Sequence, residues 1–595
     1  MMNLENIADA PRPMFDTNKV DSKAREVPWL DVLSDIPQGF RLGDDGLYRK
    51  TDNSEGRVSG AVWVSTKTRD PEGEDWGIVV EWIDPDNKRH KQAFPRNLLH
   101  DRKGISLVQA LSAGGLEVIP GCENALVKYL GSFEIPNRLR SVAQLGWLNG
   151  EELVFVLPER VIGNGTNAKI VYQPERYSPT SSTTGSRGTL AQWQMNVATP
   201  CKNNDYLIFV LCQSFAGALL EFSNIENGGF HLYGASSKGK TTALQCAASV
   251  WGNGADPAAS HETYIRKWNT TANALEATAA SHNDGILILD ELGTCSAQDI
   301  GKVIYDLFGG QGKARMGKDA SLLSRRSWRF MGLSSGEVSV DQRIKGERGR
   351  ESRAGQLIRF LDIPIDGGII RDGHGQVSGV FVRQLKQSCA KFYGTAGAAF
   401  LNKFVSYFVS RDQAMRDVCK SVEHWATAVA ADYKGLTELQ ARALDRFALL
   451  KCAGELAVEF EILPFSLEEI DESVLHLWKI WHGDSSNLSD ADRGVRNVRE
   501  FLQKHGASRF DSDKSHETLI RDRAGYRHKD LFLFTDVGFK EACGEFDIHQ
   551  VAVELIKRGF LAVDDHTRFK RKYSISGQTA RQRFYAVREN ILEDD

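Results

Sequence analysis

Between residues 200 and 375 the chain alternates short, mostly apolar runs with longer stretches whose apolar residues recur at helical spacing. Ile286-Leu287-Ile288-Leu289 is uninterrupted, and Gly229-Phe230-His231-Leu232-Tyr233, Trp328 to Leu333 (WRFMGL) and Gln356 to Pro364 (QLIRFLDIP) are mostly apolar with single polar breaks, as suits strands buried largely on both faces. Thr242 to Val250 (TALQCAASV) is alanine-rich and predicts a helix directly after the first of these strands. The alternation predicts an α/β core over 200–375, a doubly wound parallel sheet. Tyr206 to Leu220 (YLIFVLCQSFAGALL) is uncharged but shorter than the roughly 20 residues that span a bilayer, so it reads as a buried helix just before the first strand.

Either side of this core the pattern changes. Residues 1–27 are polar and proline-spotted and read as a mobile tail. Over 28–199, short runs such as Ala61 to Ser65 and Gly77 to Trp82 are cut by turn clusters (RDPEGED, DPDNK), which predicts a mainly β domain with a few helices. Ser178 to Thr189 (SPTSSTTGSRGT) reads as a flexible loop. Residues 376–484 turn helical, and Leu439, Ala443, Phe447, Leu450, Gly454 and Ala457 line one face of a helix in what is expected to be a lid. Arg442 and Arg446 on that helix are open to two readings, a second sensor for nucleotide or a structural charge. In 485–595, an amphipathic helix over Asp547 to Gly559 precedes strands at 560–563 and 569–575, a winged-helix-like order. Lys570, Arg571, Lys572, Arg581 and Arg583 make its end basic; such modules bind duplex DNA or dock proteins, and the sequence leaves both open.

Composition narrows the function class. The 595 residues are 41% hydrophobic and 26% charged, ordinary globular material sufficient for three or four domains. A net charge of -4 gives no global pull on nucleic acid, so any such contact must come from local basic patches. Nine cysteines without C-x-x-C spacing point to a reducing compartment and away from a zinc site. The amino terminus has acids and prolines where a secretory signal carries positive charge and an apolar run, so a cytoplasmic location with no membrane partner is expected.

The chemistry sits between the first strand and the helix that follows. Gly234-Ala235-Ser236-Ser237-Lys238-Gly239-Lys240-Thr241 matches G-x-x-x-x-G-K-[ST], a loop whose amides wrap a nucleotide's phosphates. Gly234 and Gly239 permit the tight turn, Lys240 reaches the β and γ phosphates, Thr241 holds Mg²⁺, and Thr242 continues the helix whose amino terminus faces the anion. Strand, loop and helix in that order predict ATP binding. About fifty residues later four aliphatics end in Asp290-Glu291, placing Asp290 as a metal ligand and Glu291 as the group that polarises the attacking water.

Three further segments refine this. The strand at 328–333 ends in Ser334-Ser335, a position that resembles the one where ring-forming AAA+ ATPases carry the polar sensor of the γ phosphate, which implies that role for Ser334. Gly309 to Lys318 (GGQGKARMGK) is glycine-punctuated and basic; Lys313, Arg315 and Lys318 are either DNA-gripping or merely solvated. Arg343, Arg348, Arg350 and Arg353 follow this strand; they are either a surface charge run or, in a ring such as the AAA+ ATPases this order resembles form, the source of an arginine that completes a neighbouring subunit's site, Arg353 first and Arg348 in reserve.

The order of these motifs resembles ring-forming AAA+ ATPases, and the basic stretch resembles the pre-sensor hairpin of MCM-type replicative helicases. Over residues 45 to 470 the chain resembles domain of unknown function 927, whose carriers include MCM-like helicases of phages and mobile elements. The resemblance rests on Asp75-Trp76-Gly77, Glu81-Trp82-Ile83-Asp84, Gly146-Trp147, Phe155-Val156-Leu157-Pro158, Trp268 to Glu276 (WNTTANALE), Asp290-Glu291-Leu292, Ser334-Ser335-Gly336-Glu337 and Ala354-Gly355-Gln356. The family's hallmark MCM sensor asparagine is a serine here. The resemblance implies an ATP-driven helicase or translocase of a mobile element. It further implies a homo-oligomeric, hexameric ring with an N-terminal collar, acting on single-stranded or forked DNA, with a primase or initiator as a further partner. An initiator or loader without processive unwinding, an ATP-gated assembly protein and a monomeric kinase remain the other readings.

Overall fold

The computed structural model describes residues 35–592 apart from 52–53, 164–168, 175–183, 261, 298, 314–324, 347–353, 366, 434, 485–489, 513–521, 545, 565–568 and 576–580. The expected tail at 1–27 and residues 178–183 of the expected loop at 178–189 lie outside the described residues. The chain divides into two units, Met1–Ser141 with Gln173–Tyr177, and Val142–Tyr172 with Ser178–Asp595. The division thus falls earlier than the boundary at 199 read from composition.

In the first unit Val62–Arg69, Gly77–Ile83 and Arg89–Pro95 form an antiparallel meander, which Arg138–Val142 joins in parallel. Phe40–Gly43, Gly46–Thr51 and Ser54–Ser59 make a second antiparallel sheet. Helices Ile105–Ala113 and Glu123–Gly131 contribute Leu107, Leu111, Leu126 and Tyr129 to one core with Trp63, Val80 and Phe94. The Tyr129 hydroxyl donates to the Val62 carbonyl at 2.9 Å, so the largest polar atom in this core has a partner.

The second unit is built on a five-stranded, wholly parallel sheet. Its order is Arg266–Lys267, Gly285–Asp290, Phe330–Gly336, Gly228–Tyr233 and Phe360–Pro364. In chain order the five strands are therefore arranged 2-3-4-1-5, with the phosphate-loop strand separated from the Asp290 strand by the serine strand. Period-two alternation divides the apolar residues between two faces. Phe230, Leu232, Ile286, Ile288, Met331 and Leu333 join a core with helices Asp205–Leu219, Lys240–Ser249 and Glu438–Glu459. Leu287, Leu289, Phe330 and Phe360 face Trp268 and helix Ile300–Phe308 in a second core. Burial on both faces is why these strands are mostly apolar without a clear alternation, Ile286 to Leu289 most plainly.

Among the described residues one helix, Asp205–Phe222, is long and apolar enough to cross a membrane by composition, but 83% of it is buried inside the fold. It is the central core helix. The helices expected as a lid are Ser378–Lys391, Thr395–Tyr407, Arg411–Ala430, Glu438–Glu459 and Leu467–Asp484. Several share the core of the sheet, with Phe447 edge-on to Phe230 at 4.9 Å and close to Trp478 at 5.5 Å. Arg446 is buried and donates to the Ile358 carbonyl at 2.7 Å, beside Gly228 at the start of the phosphate-loop strand. Arg442 pairs with Glu226 at 2.9 Å. Both lie at the amino end of that strand, opposite its phosphate loop, so the structural-charge reading holds and the second-sensor reading fails.

Near the carboxyl terminus, Leu531–Phe534, Gln582–Arg588 and Leu561–Ala562 lie side by side and antiparallel around a core of their own. Helices Asp536–Cys543 and Ile548–Lys557 come between the first and last of these positions in sequence. Arg571–Tyr573 pairs with Gln582–Arg588 as a hairpin. The long strand at 582–588 was not legible in the pattern of apolar residues.

Candidate functional site

The phosphate loop leaves Tyr233 at the carboxyl edge of the sheet and enters helix Lys240–Ser249. Gly234 has φ +148°, and a Cβ there would stand 2.8 Å from the Ile365 carbonyl oxygen; Gly239, the residue before the helix, has φ +94°. Both positions therefore require glycine. Ser237 also takes a positive φ of 65°, so the loop has left-handed backbone in its middle as well as at Gly239. The Lys240 ammonium donates to the carbonyls of Gly234 and Ala235 at 2.6 and 2.8 Å, lying across the loop it belongs to.

Electrostatics ties this loop to the acidic strand end. Burial lowers the Lys240 pKa, and the carboxylates of Glu337 and Asp290 oppose that shift, so the ammonium stands in the field of both. Asp290 is buried and accepts a short hydrogen bond from the Ser335 hydroxyl. The Ser335 oxygen in turn accepts from the Glu291 amide at 3.2 Å. Glu291 is held at φ 58°, ψ 70°, an uncommon conformation for a side chain of this kind, which projects it out of the strand direction with its carboxylate exposed. The Ser236 hydroxyl of the loop donates to Glu337 just beyond the serine strand.

Ser334 and Ser335 point to opposite sides of the sheet. The sheet register sets Ser334 beside His231 and Leu289. The Ser334 hydroxyl is fully buried, accepts from the Trp268 indole at 2.8 Å and lies 3.0 Å from His231 Nδ1. His231 Nε2 is 3.0 Å from the Val338 carbonyl. With the Nε2 proton donated to that carbonyl, Nδ1 accepts from Ser334, and the polar atoms of Trp268, Ser334 and His231 are all satisfied. The hydroxyl that reaches the acidic pair is thus that of Ser335. Sequence alone could not choose between the two, because the choice depends on strand register.

Burial drives the His231 pKa down to about 4, and that of His282, beneath Tyr264, to about 4 as well. Each imidazole is neutral when folded but protonates near pH 6.5 when unfolded. The unfolded chain therefore binds more protons between these values, and stability falls as pH drops from about 6.5 toward 4. Each histidine should cost about 2 kcal/mol by pH 5. Chemical denaturation at pH 7 and pH 5 checks this; an unchanged midpoint would contradict the neutral assignment.

The oxygen donors of Thr241 and Asp290 suit a small hard cation such as Mg²⁺, which takes one or two carboxylate or hydroxyl ligands and completes its shell with phosphate and water. Among the described residues no group of three or more His, Cys, Asp or Glu side chains could hold a metal by itself. The donor set fits a metal that arrives with a nucleotide.

Of the remaining sequence-predicted residues, Lys313 is described: its ammonium is about half exposed and lies 3.7 Å from Asp306. The backbone pairs Gly312 with Arg326 at 2.8 Å and Trp328 with Gly310 at 2.9 Å, with Gln311 opposite Ser327, so the segment's two ends run antiparallel. Arg315 and Lys318 lie outside the described residues, as do Arg348, Arg350 and Arg353. Arg343 is described and donates to the Cys295 carbonyl at 3.1 Å. Glu337, Ser335, Trp268 and His231 had no role in the motif reading, although Trp268, Ser335 and Glu337 fall in the quoted family segments.

A family model described as "Domain of unknown function (DUF927)" matches residues 40–327. No curated protein matches the chain. A solved structure described as "SCCmec type IV Cch - active helicase" has a TM-score of 0.65 at 17% identity, covering 94% of this chain and 99% of that one. Structures of the NrS-1 C-terminal region cover 70% of this chain and 92% of theirs, at 9% and 11% identity, but TM-scores of 0.22 and 0.24 carry no argument. Over nearly its whole length the chain therefore shares the fold of a protein described as an active helicase, and its residues 40–327 match the DUF927 model.

Proposed function

We propose that this chain is an AAA+ ATPase working as a ring-shaped DNA helicase or translocase, in the replication of a mobile element. The observation that carries the reading is the glycine-hinged loop that leads into helix Lys240–Ser249 at the carboxyl edge of a parallel sheet, with the serine strand between the loop's strand and that of Asp290. That order supports the reading, since the loop, the acids and the strand-end hydroxyl all follow the carboxyl ends of three neighbouring strands, the edge at which open α/β sheets bind ligands.

In this reading the amides of 235–241 and the Lys240 ammonium hold the phosphates of ATP, while Thr241 and Asp290 take the metal. Bound there, Mg²⁺ withdraws charge from the phosphates and supports in-line attack by water. Glu291 orients that water and accepts its proton. Ser335 holds Asp290 in place and, through the Glu291 amide, sets the angle at which the second acid leaves the strand. The sensor role expected of Ser334 passes to Ser335, since Ser334 is enclosed by Trp268 and His231. Arg353, with Arg348 in reserve, would come from the adjacent subunit, and Lys313, Arg315 and Lys318 would grip the DNA strand.

Mass measurement with and without Mg-ATP, joined to a forked-DNA unwinding assay, tests the reading. Assembly into a ring with ATP-dependent unwinding is expected. Protein that stays monomeric and leaves the fork intact would contradict it, and a single opening event without sustained unwinding would favour an initiator or loader. Mixing Arg353→Ala with Lys240→Ala subunits should restore part of the activity if the arginine acts across the boundary.

A further inference from the structure

We propose that the carboxyl-terminal hairpin, Arg571–Tyr573 with Gln582–Arg588, docks on the phosphate backbone of duplex DNA, and that the helix beside it does not read the bases. This contact lies in a domain with its own core and stands or falls separately from the nucleotide site.

The register sets Lys572 directly opposite Arg583, and both are exposed. Directly opposed like charges destabilise an antiparallel pair, so nothing in the fold rewards this arrangement. Period-two alternation adds Arg581 and Lys570 to the same face. Arg581 donates to the Ser574 hydroxyl at 3.3 Å, and Lys570 is held by Asp536 at 2.8 Å. Arg571, on the other face, is neutralised by Asp564 at 2.7 Å. Among the described residues no carboxylate pairs with Lys572, Arg581 or Arg583. Three cations are therefore left for an external anion, and the charge pattern fits a polyanion.

Two observations choose the partner. Single-stranded nucleic acid is held by stacking its bases on open aromatic rings. The aromatic on this face, Tyr585, is stacked on Phe539 at 4.0 Å with the Lys570 ammonium 5.1 Å from its ring centroid, so it is not open to a base. Helix Ile548–Lys557, in the position where related modules enter a groove, offers little charge. Its Glu554 takes up Lys557 and Arg558 at 3.4 and 2.9 Å, Val553 is exposed, and His549 packs edge-on to Phe569. Duplex binding through the hairpin alone carries no base readout and is sequence-independent.

The test uses the full chain and a labelled random-sequence duplex, followed by anisotropy over a salt titration without nucleotide. Lys572→Gln with Arg583→Gln should lower the log–log salt slope by about 1.8, since each phosphate contact contributes about 0.9. Lys572→Glu, which turns the repulsive pair into an ion pair, should raise Tm while weakening duplex binding; a purely structural pair would not move the two in opposite directions. His549→Ala with Gln550→Ala should leave duplex affinity unchanged. An unchanged salt slope overturns the proposal, and is what a surface kept for an acidic protein would give. A loss confined to single-stranded DNA, or a requirement for His549 and Gln550, overturns it equally.

Discussion

Glu291→Gln protein should hold Mg-ATP as tightly as the wild type while its turnover falls by about 10²- to 10⁴-fold, the range that a positioned general base supplies. The substitution keeps the size of the side chain and the amide that donates to Ser335, and removes only the group that accepts a proton. The positive φ at 291 favours a local role over a packing one, because the exposed side chain gains nothing from burial in return for that conformation. Nucleotide affinity and single-turnover hydrolysis, measured on the same preparation, separate the two effects. Retained turnover would remove Glu291 from the mechanism and leave Glu337, the other carboxylate beside the loop, as the group to examine.

The two adjacent serines should behave in opposite ways. Ser334→Ala leaves the Trp268 indole N–H and one nitrogen of His231 unpaired in a fully buried site, which should cost about 3 kcal/mol of stability. Its turnover per folded molecule should change little. Ser335→Ala removes the hydroxyl that bonds Asp290 and the acceptor for the Glu291 amide, so turnover should fall by far more than the accompanying loss of stability, which the same unpairing makes about 1–3 kcal/mol, accounts for. Denaturation midpoints and steady-state rates for the pair decide the matter. A stable, inactive Ser334→Ala beside an unstable, active Ser335→Ala would reverse the assignment.

Much of the core was legible because its signals are local. The loop octet depends on two glycines whose torsions no other residue adopts easily, and the acidic pair ends a strand that is apolar on both faces. The helix at 205–219 was visible as an apolar run too short to span a bilayer. What escaped depends on register between distant strands. Which serine faces the acids follows from pairing 231 with 334 and 289 with 334, and no periodicity within one strand contains that. Arg442 and Arg446 lay on a correctly placed helix, but which end of the sheet that helix approaches is a tertiary fact. In the terminal domain the strand at 582–588 alternates Arg583 with Phe584 over too few residues to announce itself, and its hairpin partner has only three.

The central claim is that Lys240 and the Asp290-Glu291 pair serve one Mg-nucleotide pocket. Titration of a fluorescent ATP analogue with Mg²⁺ into wild-type and Lys240→Ala protein, both verified as folded, tests it most directly. The account predicts saturable binding by the wild type and affinity at least about 100-fold weaker in the variant, equivalent to about 2.7 kcal/mol. Equal affinity in the two proteins would contradict it.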